Sequence, residues 1–386
     1  MVLNQGKKPV GLYVHIPFCR RKCSYCDFYS ISNYDELLLN QYCHAVREEI
    51  NIAAHKLKDL FVTTIFIGGG TPSLLSGQQL KGILKQIKYS LSVSPVAEIT
   101  VEANPATIDA NKMQEYLEAG VNRISLGAQS FNDDELLVLG RIHNAADILH
   151  TIEMFHKTGV KNFNLDLIYG IPRQSIESWE ANLKVAIDSA PAHISAYLLQ
   201  LGPQTVMARK VEQNLIELCH EDAEVSMYDK TIDLLYSRGF NQYEISNFSL
   251  PDYECRHNLI YWQGENYLGF GAGAVSYVDN KRYINKPELL NYIEALKSGK
   301  KPATEALEVM SVKEQIADTI ILGLRLKQGI NIEKINKRYT IDIEKEFGVV
   351  IKDNIEKGLL ELKNGQLFLT RRGYFLSNQV LCHFIA

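Results

Sequence analysis

The chain has 386 residues, of which 46% are hydrophobic and 22% charged, so it is long enough to bury the core of one large α/β domain and a smaller second domain. Its formal net charge of −4 at pH 7 gives no general electrostatic basis for binding nucleic acid or an anionic membrane. There is no apolar run of about eighteen residues, and residues 1–9 lack the apolar centre of a signal peptide, so we expect no transmembrane segment and a cytoplasmic location.

Strand-like segments recur along the first 200 residues, and helical patterns separate most of them. This alternation predicts parallel strands joined by right-handed crossovers, and the clearest helix spans about residues 35–56. Six βα units form either an open doubly wound sheet or a partial barrel, and periodicity does not decide between them. The predicted strands are Val10–His15, Val62–Ile67, Ala97–Val101, Val121–Leu126, Asn162–Leu167 and His193–Leu199.

Three cysteines, Cys19, Cys23 and Cys26, follow the first strand within eight residues. Pro17 and the cations at 20–22 predict a loop rather than an apolar helix face. We expect those cations to lower the pKa values of the thiols and to offset the charge of a thiolate-bound centre. An iron–sulfur cluster is favoured over structural zinc, because no second Cys or His pair of suitable spacing occurs.

Polar and glycine residues lie at or just beyond the ends of four other strands: Gly68–Thr71, Glu102, Gln129 and Asp166. Because the carboxyl ends of parallel strands share one rim, we expect these residues to converge with the cysteine loop.

Two of these residues, Glu102 and Asp166, are carboxylates that emerge from apolar strand ends, where they require hydrogen-bond donors. A ligand such as a ribose diol or an ammonium group would supply them. The alternative is a salt bridge to Arg123 or Arg141.

The pattern becomes less regular after about residue 201. A helix at 220–238 precedes an aromatic and glycine-rich stretch at 239–283 and a helical segment at 287–297. The polar run Ser298–Pro302 predicts a domain boundary. The predicted units are a core at 1–240, an extension at 241–300 and a C-terminal domain at 303–386.

Helical patterns at 312–325, 332–337 and 343–356, followed by a hairpin at 359–370 that turns at Asn364-Gly365, predict a winged-helix-like α+β module. Such modules often bind DNA. The segment 343–356 alternates acids with bases and is not strongly basic, so it favours a packing or lid role. A DNA-binding regulator that senses the cluster is therefore the least favoured function.

Several motifs together resemble the oxygen-independent coproporphyrinogen oxidase family of the radical S-adenosylmethionine (SAM) superfamily, and its haem-chaperone branch. The motifs are His15-Ile-Pro-Phe-Cys19, Gly68-Gly-Gly-Thr-Pro72, Val101-Glu-Ala-Asn-Pro105 and Asn164-Leu-Asp-Leu-Ile-Tyr-Gly-Ile-Pro172. The resemblance covers nearly the whole chain and implies a curved, partial (β/α)6 TIM-like barrel. It implies a [4Fe-4S] cluster on the three cysteines with SAM on the open iron. The implied SAM contacts are Tyr13, Gly69, Gly70, Thr71, Glu102, Gln129, Arg141 and Asp166, whereas Gln200 and Val275 match less closely.

Two departures separate the chain from the oxidases it resembles. Those oxidases usually carry a fourth cysteine where this chain has Phe28, and a long extension where only eighteen residues precede Cys19. The run Cys255–Trp262 resembles a His-Asn-x2-Tyr-Trp motif of the haem-chaperone branch. From the residues alone, a core histidine beside a buried Tyr-Trp cluster is the alternative. The implied haem-binding candidates are His257, Asn258, Tyr261, Trp262 and Cys255.

The resemblance therefore implies a haem chaperone that holds haem in or beside the cluster cavity and passes it to an acceptor protein, for example a respiratory cytochrome at the membrane. The enzymatic alternative is oxidative decarboxylation of the propionates of coproporphyrinogen III. That reaction requires cleavage of SAM and an electron donor for the cluster.

Overall fold

A computed structural model describes residues 6–385. The expectation that no signal peptide is present concerns residues 1–9, of which the first five lie outside the described range. No helix within residues 6–385 combines the length and apolarity needed to cross a bilayer.

Six parallel strands form the centre of the molecule, as predicted. They lie in the order β1 to β6, each beside its neighbour in sequence. A doubly wound sheet reverses its strand order at a switch point, whereas sequential order with right-handed crossovers keeps the helices on one face. The partial-barrel expectation is therefore confirmed. The strands are β1 (Lys8–Ile16), β2 (Leu60–Gly69), β3 (Val93–Ala103), β4 (Arg123–Gln129), β5 (Phe163–Tyr169) and β6 (His193–Leu198).

The crossover helices pack side by side, α1 against α2, α2 against α3 and α3 against α5. Each of the six helices α1 to α6 begins where an Asp, Ser or Asn side chain accepts a hydrogen bond from a free N–H of the first turn. The short polar residues before each apolar pattern therefore fix the helix starts. The helices are α1 (Glu36–Ala54), α2 (Gly77–Ser90), α3 (Ala110–Ala119), α4 (Asp133–Leu139), α5 (Ala145–Thr158) and α6 (Ile176–Asp188), and a 3₁₀ turn spans Pro72–Leu74.

The same sheet continues on both sides of the six strands. Beside β1 it adds β9, which is parallel, and then β10, β11 and β12; beside β6 it adds β8 and β7. The next elements are α7 (Val206–Glu212), α8 (Glu221–Ser237), β7 (Asn241–Gln242), β8 (Asn247–Ser249), α9 (Arg256–Trp262), β9 (Tyr267–Phe270), β10 (Val275–Val278), β11 (Lys281–Asn285), α10 (Leu289–Lys297) and β12 (Thr304–Val309). Because β12 pairs with β11, the main sheet extends to Val309, and the domain boundary at 298–302 stays a prediction.

The C-terminal residues fold into helices around a small antiparallel sheet of order β13-β15-β14. Asn364 and Gly365 turn the β14–β15 hairpin with φ of +53° and +75°, as their sequence predicts. The elements are α11 (Val312–Leu324), β13 (Ile330–Asn331), α12 (Ile332–Tyr339), α13 (Ile343–Glu356), β14 (Leu360–Lys363), β15 (Gln366–Leu369), α14 (Arg371–Phe375) and α15 (Ser377–Cys382). Arg371 binds Asp229 and Asp233 of α8 and so ties these elements to the barrel.

Candidate functional site

A cavity of about 440 Å³ lies at the carboxyl ends of the parallel strands. The loop after β1 closes one side of it, and residues that follow β2 to β6 form the rest of its wall. Ten of the residues predicted to bind the cluster or SAM share this wall: Cys19, Cys23, Cys26, Gly69, Gly70, Thr71, Glu102, Gln129, Arg141 and Asp166. The expectation that the strand ends converge with the cysteine loop is thus met in the structure.

The three thiols of the loop are half-buried, and none forms a disulfide. Arg141 Nη1 donates to Cys23 Sγ at 3.3 Å, and the Thr71 hydroxyl donates to Cys19 Sγ at 3.6 Å. Within residues 6–385, no three His, Cys, Asp or Glu side chains are grouped as the ligands of a single metal ion. Thiolates that each bind a different iron of one cluster are spaced more widely than ligands of one ion, and the sulfur-directed donors suit such a cluster.

The pKa values of the Cys19 and Cys26 thiols differ from the expectation. Burial raises the pKa of Cys19, and the Thr71 hydroxyl and Arg141 offset only part of that rise. Burial likewise raises the pKa of Cys26, and the nearby Lys22 opposes it weakly. For Cys19 and Cys26 the prediction that the cations of the loop would lower the thiol pKa was wrong, because desolvation of these half-buried sulfurs outweighs the attraction of the exposed cations.

Glu102 is the carboxylate of β3 that faces the cavity. Its Oε2 accepts a hydrogen bond from the backbone N–H of Gly69 at 2.9 Å. Burial, followed by the charge of nearby Asp166, raises the pKa of Glu102 to about 8, although the Gly69 amide opposes the shift. At neutral pH this carboxyl is therefore largely protonated in the ligand-free protein.

Asp166 of β5 stands on the same wall and is held by neutral donors. Ser125 Oγ donates to it at 2.9 Å and Asn164 Nδ2 at 2.8 Å. Burial raises the pKa of Asp166, and these hydrogen bonds lower it in part. Among the described residues, neither carboxylate forms the salt bridge to Arg123 or Arg141 that we considered as an alternative, although the charge of Arg123 lowers the pKa of Asp166 in part.

Close backbone approach explains the glycine loop after β2. A Cβ at Gly70 would lie 2.6 Å from the carbonyl oxygen of Phe18 and 3.0 Å from Cys19 Sγ. Gly69 has φ +114°, and a Cβ there would meet the ring of His15. Only glycine lets this loop pack against the cysteine loop, which brings Thr71 to its sulfur.

Of three further residues suggested as SAM contacts, only one lines the cavity. Gln200 lines the cavity, whereas Tyr13 and Val275 are not among its lining residues. The Tyr13 hydroxyl bonds to His15 Nδ1 at 2.9 Å, and its ring packs on Phe66. Tyr13 therefore lies near the middle of β1, whereas the cysteine loop follows the end of that strand.

The haem-binding candidates lie on and beside α9, away from the cavity wall. His257 is buried, and both of its ring nitrogens have partners: Thr64 Oγ1 at 2.7 Å and the Tyr261 hydroxyl at 2.9 Å. Burial lowers the pKa of His257 to about 3, so the ring is neutral. In this conformation His257 is a satisfied core residue, as the alternative interpretation of the motif proposed.

Cys255 is also buried, and burial raises the pKa of its thiol to about 12. Beside it, the Glu98 carboxylate of β3 accepts hydrogen bonds from the first backbone N–H groups of α9, those of Arg256 at 3.1 Å and His257 at 3.0 Å. This carboxylate anchors the N-terminus of α9 to the sheet. Asn258 and Tyr261 are half-buried in the same helix.

Trp262 ends α9 and contacts the C-terminal elements. The guanidinium of Arg325 lies 4.3 Å from the centre of its ring, and its indole N–H has no hydrogen-bond partner among the described residues.

Asn104 and Tyr197 are among the cavity residues that the sequence analysis missed. Asn104 lines the cavity and bonds both Arg141 and Thr71, and Tyr197 of β6 presents a partly exposed ring to the same space. Asn104 lies inside a motif that we quoted, but nothing in the spacing indicates its partners. Tyr197 occupies the end of a strand, which is the signal that would have identified it.

Comparisons with known proteins agree with this geometry. A model of the radical SAM superfamily matches residues 13–186, and a model of the HemN C-terminal domain matches residues 310–376. Among solved structures, the chain is similar to coproporphyrinogen III oxidase (HemN) of Escherichia coli, a radical SAM enzyme, with a TM-score of 0.85 and 23% identity over 98% of this chain and 90% of that one. That likeness is one of fold.

Curated relatives are more similar in sequence. Heme chaperone HemW of Bacillus subtilis (strain 168) is 36% identical over 97% of this chain and 98% of its own length. Heme chaperone HemW of Lactococcus lactis subsp. lactis (strain IL1403) is 36% identical over 98% of both chains. Heme chaperone HemW of Escherichia coli (strain K12) is 40% identical over 69% of each.

Proposed function

The chain belongs to the HemW family within the radical SAM superfamily, and from this premise we propose that it is a haem chaperone. It would bind haem and pass it to an acceptor protein while carrying a [4Fe-4S] cluster and SAM. The observation that carries the proposal is the cavity at the strand ends, where three thiols without disulfide partners share one wall with the carboxyl groups of Glu102 and Asp166, in a chain alignable over nearly its full length with haem chaperones.

The cavity residues fit the cluster and its ligand. Cys19, Cys23 and Cys26 would hold three irons, and the open iron would bind the amino and carboxylate groups of SAM. Glu102 and Asp166 would accept hydrogen bonds from the hydroxyl or ammonium groups of SAM, which would favour the ionised form of each carboxyl. When bound, the cluster supplies a one-electron centre whose potential depends on hydrogen bonds to its sulfurs.

The partners we propose are haem, an acceptor protein such as a membrane cytochrome, and an electron donor if SAM is cleaved. We propose a cytoplasmic location and no nucleic-acid partner. The net charge of −4 and the mixed charges of α13 support the absence of a nucleic-acid site.

The haem ligand stays a prediction. His257 and Cys255 are both buried, and His257 has no free ring nitrogen, so α9 would have to move away from β2 and β3 before either residue binds haem iron. The loss of haem binding in a His257→Ala variant that still folds would support such a movement. Unchanged haem binding would assign the ligand to another residue.

Anaerobic haem titration tests the proposed function. The protein is purified without oxygen, its cluster is reconstituted with iron and sulfide, and haem is added in steps while the Soret absorption is followed. We expect saturation at one haem per chain and transfer to an apo-haem protein. A reconstituted protein that shows no stoichiometric haem binding would contradict the proposal.

The oxidase alternative is tested with the same preparation. Reduced protein is incubated with SAM and coproporphyrinogen III, and the products are separated by chromatography. The absence of a fourth cysteine at Phe28 leads us to expect no turnover. Multiple-turnover formation of protoporphyrinogen would replace the chaperone proposal with the enzymatic one.

A further inference from the structure

We propose that Asn104 is a positioning residue that holds two hydrogen-bond donors against two different cluster-binding sulfurs. The proposal concerns the same cavity and rests on the proposed function in one respect, that Cys19 and Cys23 bind an iron–sulfur cluster. Asn104 touches neither sulfur and acts through Arg141 and Thr71.

The side chain of Asn104 joins two separate contacts to sulfur. Its Oδ1 accepts a short hydrogen bond of 2.5 Å from Arg141 Nη2, and its Nδ2 donates to Thr71 Oγ1 at 2.8 Å. The other terminal nitrogen of Arg141 donates to Cys23 Sγ at 3.3 Å. The Thr71 hydroxyl donates to Cys19 Sγ at 3.6 Å. One amide thus joins the donors of two different cluster-binding sulfurs.

The chemistry of the partners fixes the orientation of this amide. A guanidinium has only donors, so the Asn104 oxygen must face Arg141 and the NH2 must face Thr71. Because Asn104 donates to the Thr71 oxygen, the hydroxyl hydrogen of Thr71 remains available for Cys19. An aspartate here could not donate to Thr71, and an aliphatic residue could satisfy neither partner.

The backbone around Asn104 is anchored independently of this side chain. Its N–H donates to Ser73 Oγ at 3.1 Å, and its carbonyl accepts from the Thr107 hydroxyl at 2.6 Å. Arg141 is also held by the carbonyl of Gly127 at 3.0 Å. Replacement of the amide should therefore loosen the two donors without displacing the loop that carries Asn104.

Hydrogen bonds to the sulfur ligands of a cluster stabilise its reduced, more negative form. Loss of Asn104 would weaken such bonds at Cys19 and Cys23 together. The structure therefore assigns Asn104 a role in setting the reduction potential of the cluster, which distinguishes it from a residue that only maintains the fold.

The test is an EPR-monitored redox titration of anaerobically reconstituted protein, with iron content and melting temperature measured on the same samples. We expect Asn104→Ala to bind iron as the wild type does and to show a more negative midpoint potential. Asn104→Asp should shift the midpoint in the same direction, because its carboxylate draws Arg141 away from Cys23, adds negative charge and cannot donate to Thr71. Asn104→Asp also serves as the second variant if Asn104→Ala fails to fold.

The matched control is Asn122→Ala. Asn122 also makes two hydrogen bonds with its side chain, from Ile99 N at 2.8 Å and to Ala97 O at 2.8 Å, but near the amino end of β4. The midpoint potential of the cluster in Asn122→Ala should equal that in the wild type. In a Thr71→Val, Arg141→Gln background, Asn104→Ala should add no further shift.

An unchanged midpoint in both Asn104 variants, or an equal shift in Asn122→Ala, would overturn this inference and leave the proposed function intact. Failure of the wild-type protein to assemble any cluster would instead overturn the proposed function, and this inference with it.

Discussion

The guanidinium of Arg325 in the C-terminal elements lies 4.3 Å above the ring of Trp262 at the end of α9. The same guanidinium stands 3.7 Å from the carboxylate of Glu244, which is almost fully buried. The C-terminal elements therefore contact the motif from which we predicted haem binding. Trp262, the last aromatic residue of that motif, packs against Arg325 in this structure.

Replacement of Arg325 by alanine should destabilise the protein by about 2–4 kcal/mol at neutral pH, because it leaves the Glu244 carboxylate buried without a cation and removes a stacking contact worth about 1 kcal/mol. Burial already raises the pKa of Glu244 even though Arg325 lowers it, so the loss should shrink at acid pH, where the carboxyl is neutral. Urea unfolding at pH 7 and pH 5 measures both effects. Arg338→Ala, which removes an exposed cation–π contact with Tyr339, is the control and should change stability by less than about 0.5 kcal/mol. An equal loss of stability in the control would contradict the role of Arg325 in neutralising Glu244 and packing on Trp262.

The serine variants of Cys19, Cys23 and Cys26 should each lose most of the reconstituted iron, because a cluster with two protein ligands is held poorly. Iron and sulfide analysis after anaerobic reconstitution measures the loss. Cys382→Ser is the control, since Cys382 is exposed at the end of α15 far along the chain from the loop. Full iron content in any of the three loop variants would remove that cysteine from the ligand set.

Glu102→Gln should change both pH dependence and SAM binding. The folded pKa of about 8 exceeds the unfolded value of about 4.3, so the wild type loses stability as pH rises between them. The variant should therefore gain stability relative to the wild type by roughly 1.4 kcal/mol per pH unit from pH 5 to 8. We expect its SAM affinity to fall roughly tenfold, through loss of a charged acceptor.

Calorimetry tests the role of Glu102 by measuring the protons released when SAM binds. Binding of SAM at pH 7 should release a proton from the wild type, because donors from the ligand favour the ionised carboxylate. The variant should release none. The exposed Glu118→Gln serves as the control for both measurements. Equal proton release by Glu102→Gln and the wild type would exclude Glu102 as the group that ionises.

The positions of the site residues along the strands could be predicted from the sequence. Alternation of strand and helix patterns, together with the rule that parallel strands end at one rim, brings Glu102 and Asp166 to the cysteine loop without knowledge of any distance. The pKa directions could not be predicted, because burial of the thiols depends on how the whole loop packs. The link from Asn104 to Arg141 and Thr71 was also invisible, since it joins residues about 35 positions apart through side-chain geometry.

The environment of α9 is a second feature that could not be predicted from the sequence. The local sequence shows a histidine, a tyrosine and a tryptophan close together in one motif, but it indicates neither the helix α9 that carries them nor that Glu98, nearly 160 positions earlier, accepts the first N–H groups of that helix. A motif therefore indicates which residues lie together along the chain. Whether its histidine is free to bind a ligand depends on the tertiary partners, here Thr64 and Tyr261.

The buried, neutral state of His257 predicts a specific sensitivity to acid. Its folded pKa of about 3 lies below the unfolded value of about 6.5, so only the unfolded chain gains a proton between these limits. The contribution of His257 to stability is fully present above pH 6.5 and is lost as pH falls toward 3, which amounts to about 2 kcal/mol at pH 5. His257→Gln removes the titrating group, so the loss of stability between pH 7 and pH 5, measured by urea unfolding, should be about 2 kcal/mol smaller than in the wild type. The exposed His150→Gln should leave that difference unchanged. A wild-type loss equal to that of His257→Gln would mean that the ring can take up a proton in the folded protein, and hence that α9 opens readily enough to expose it.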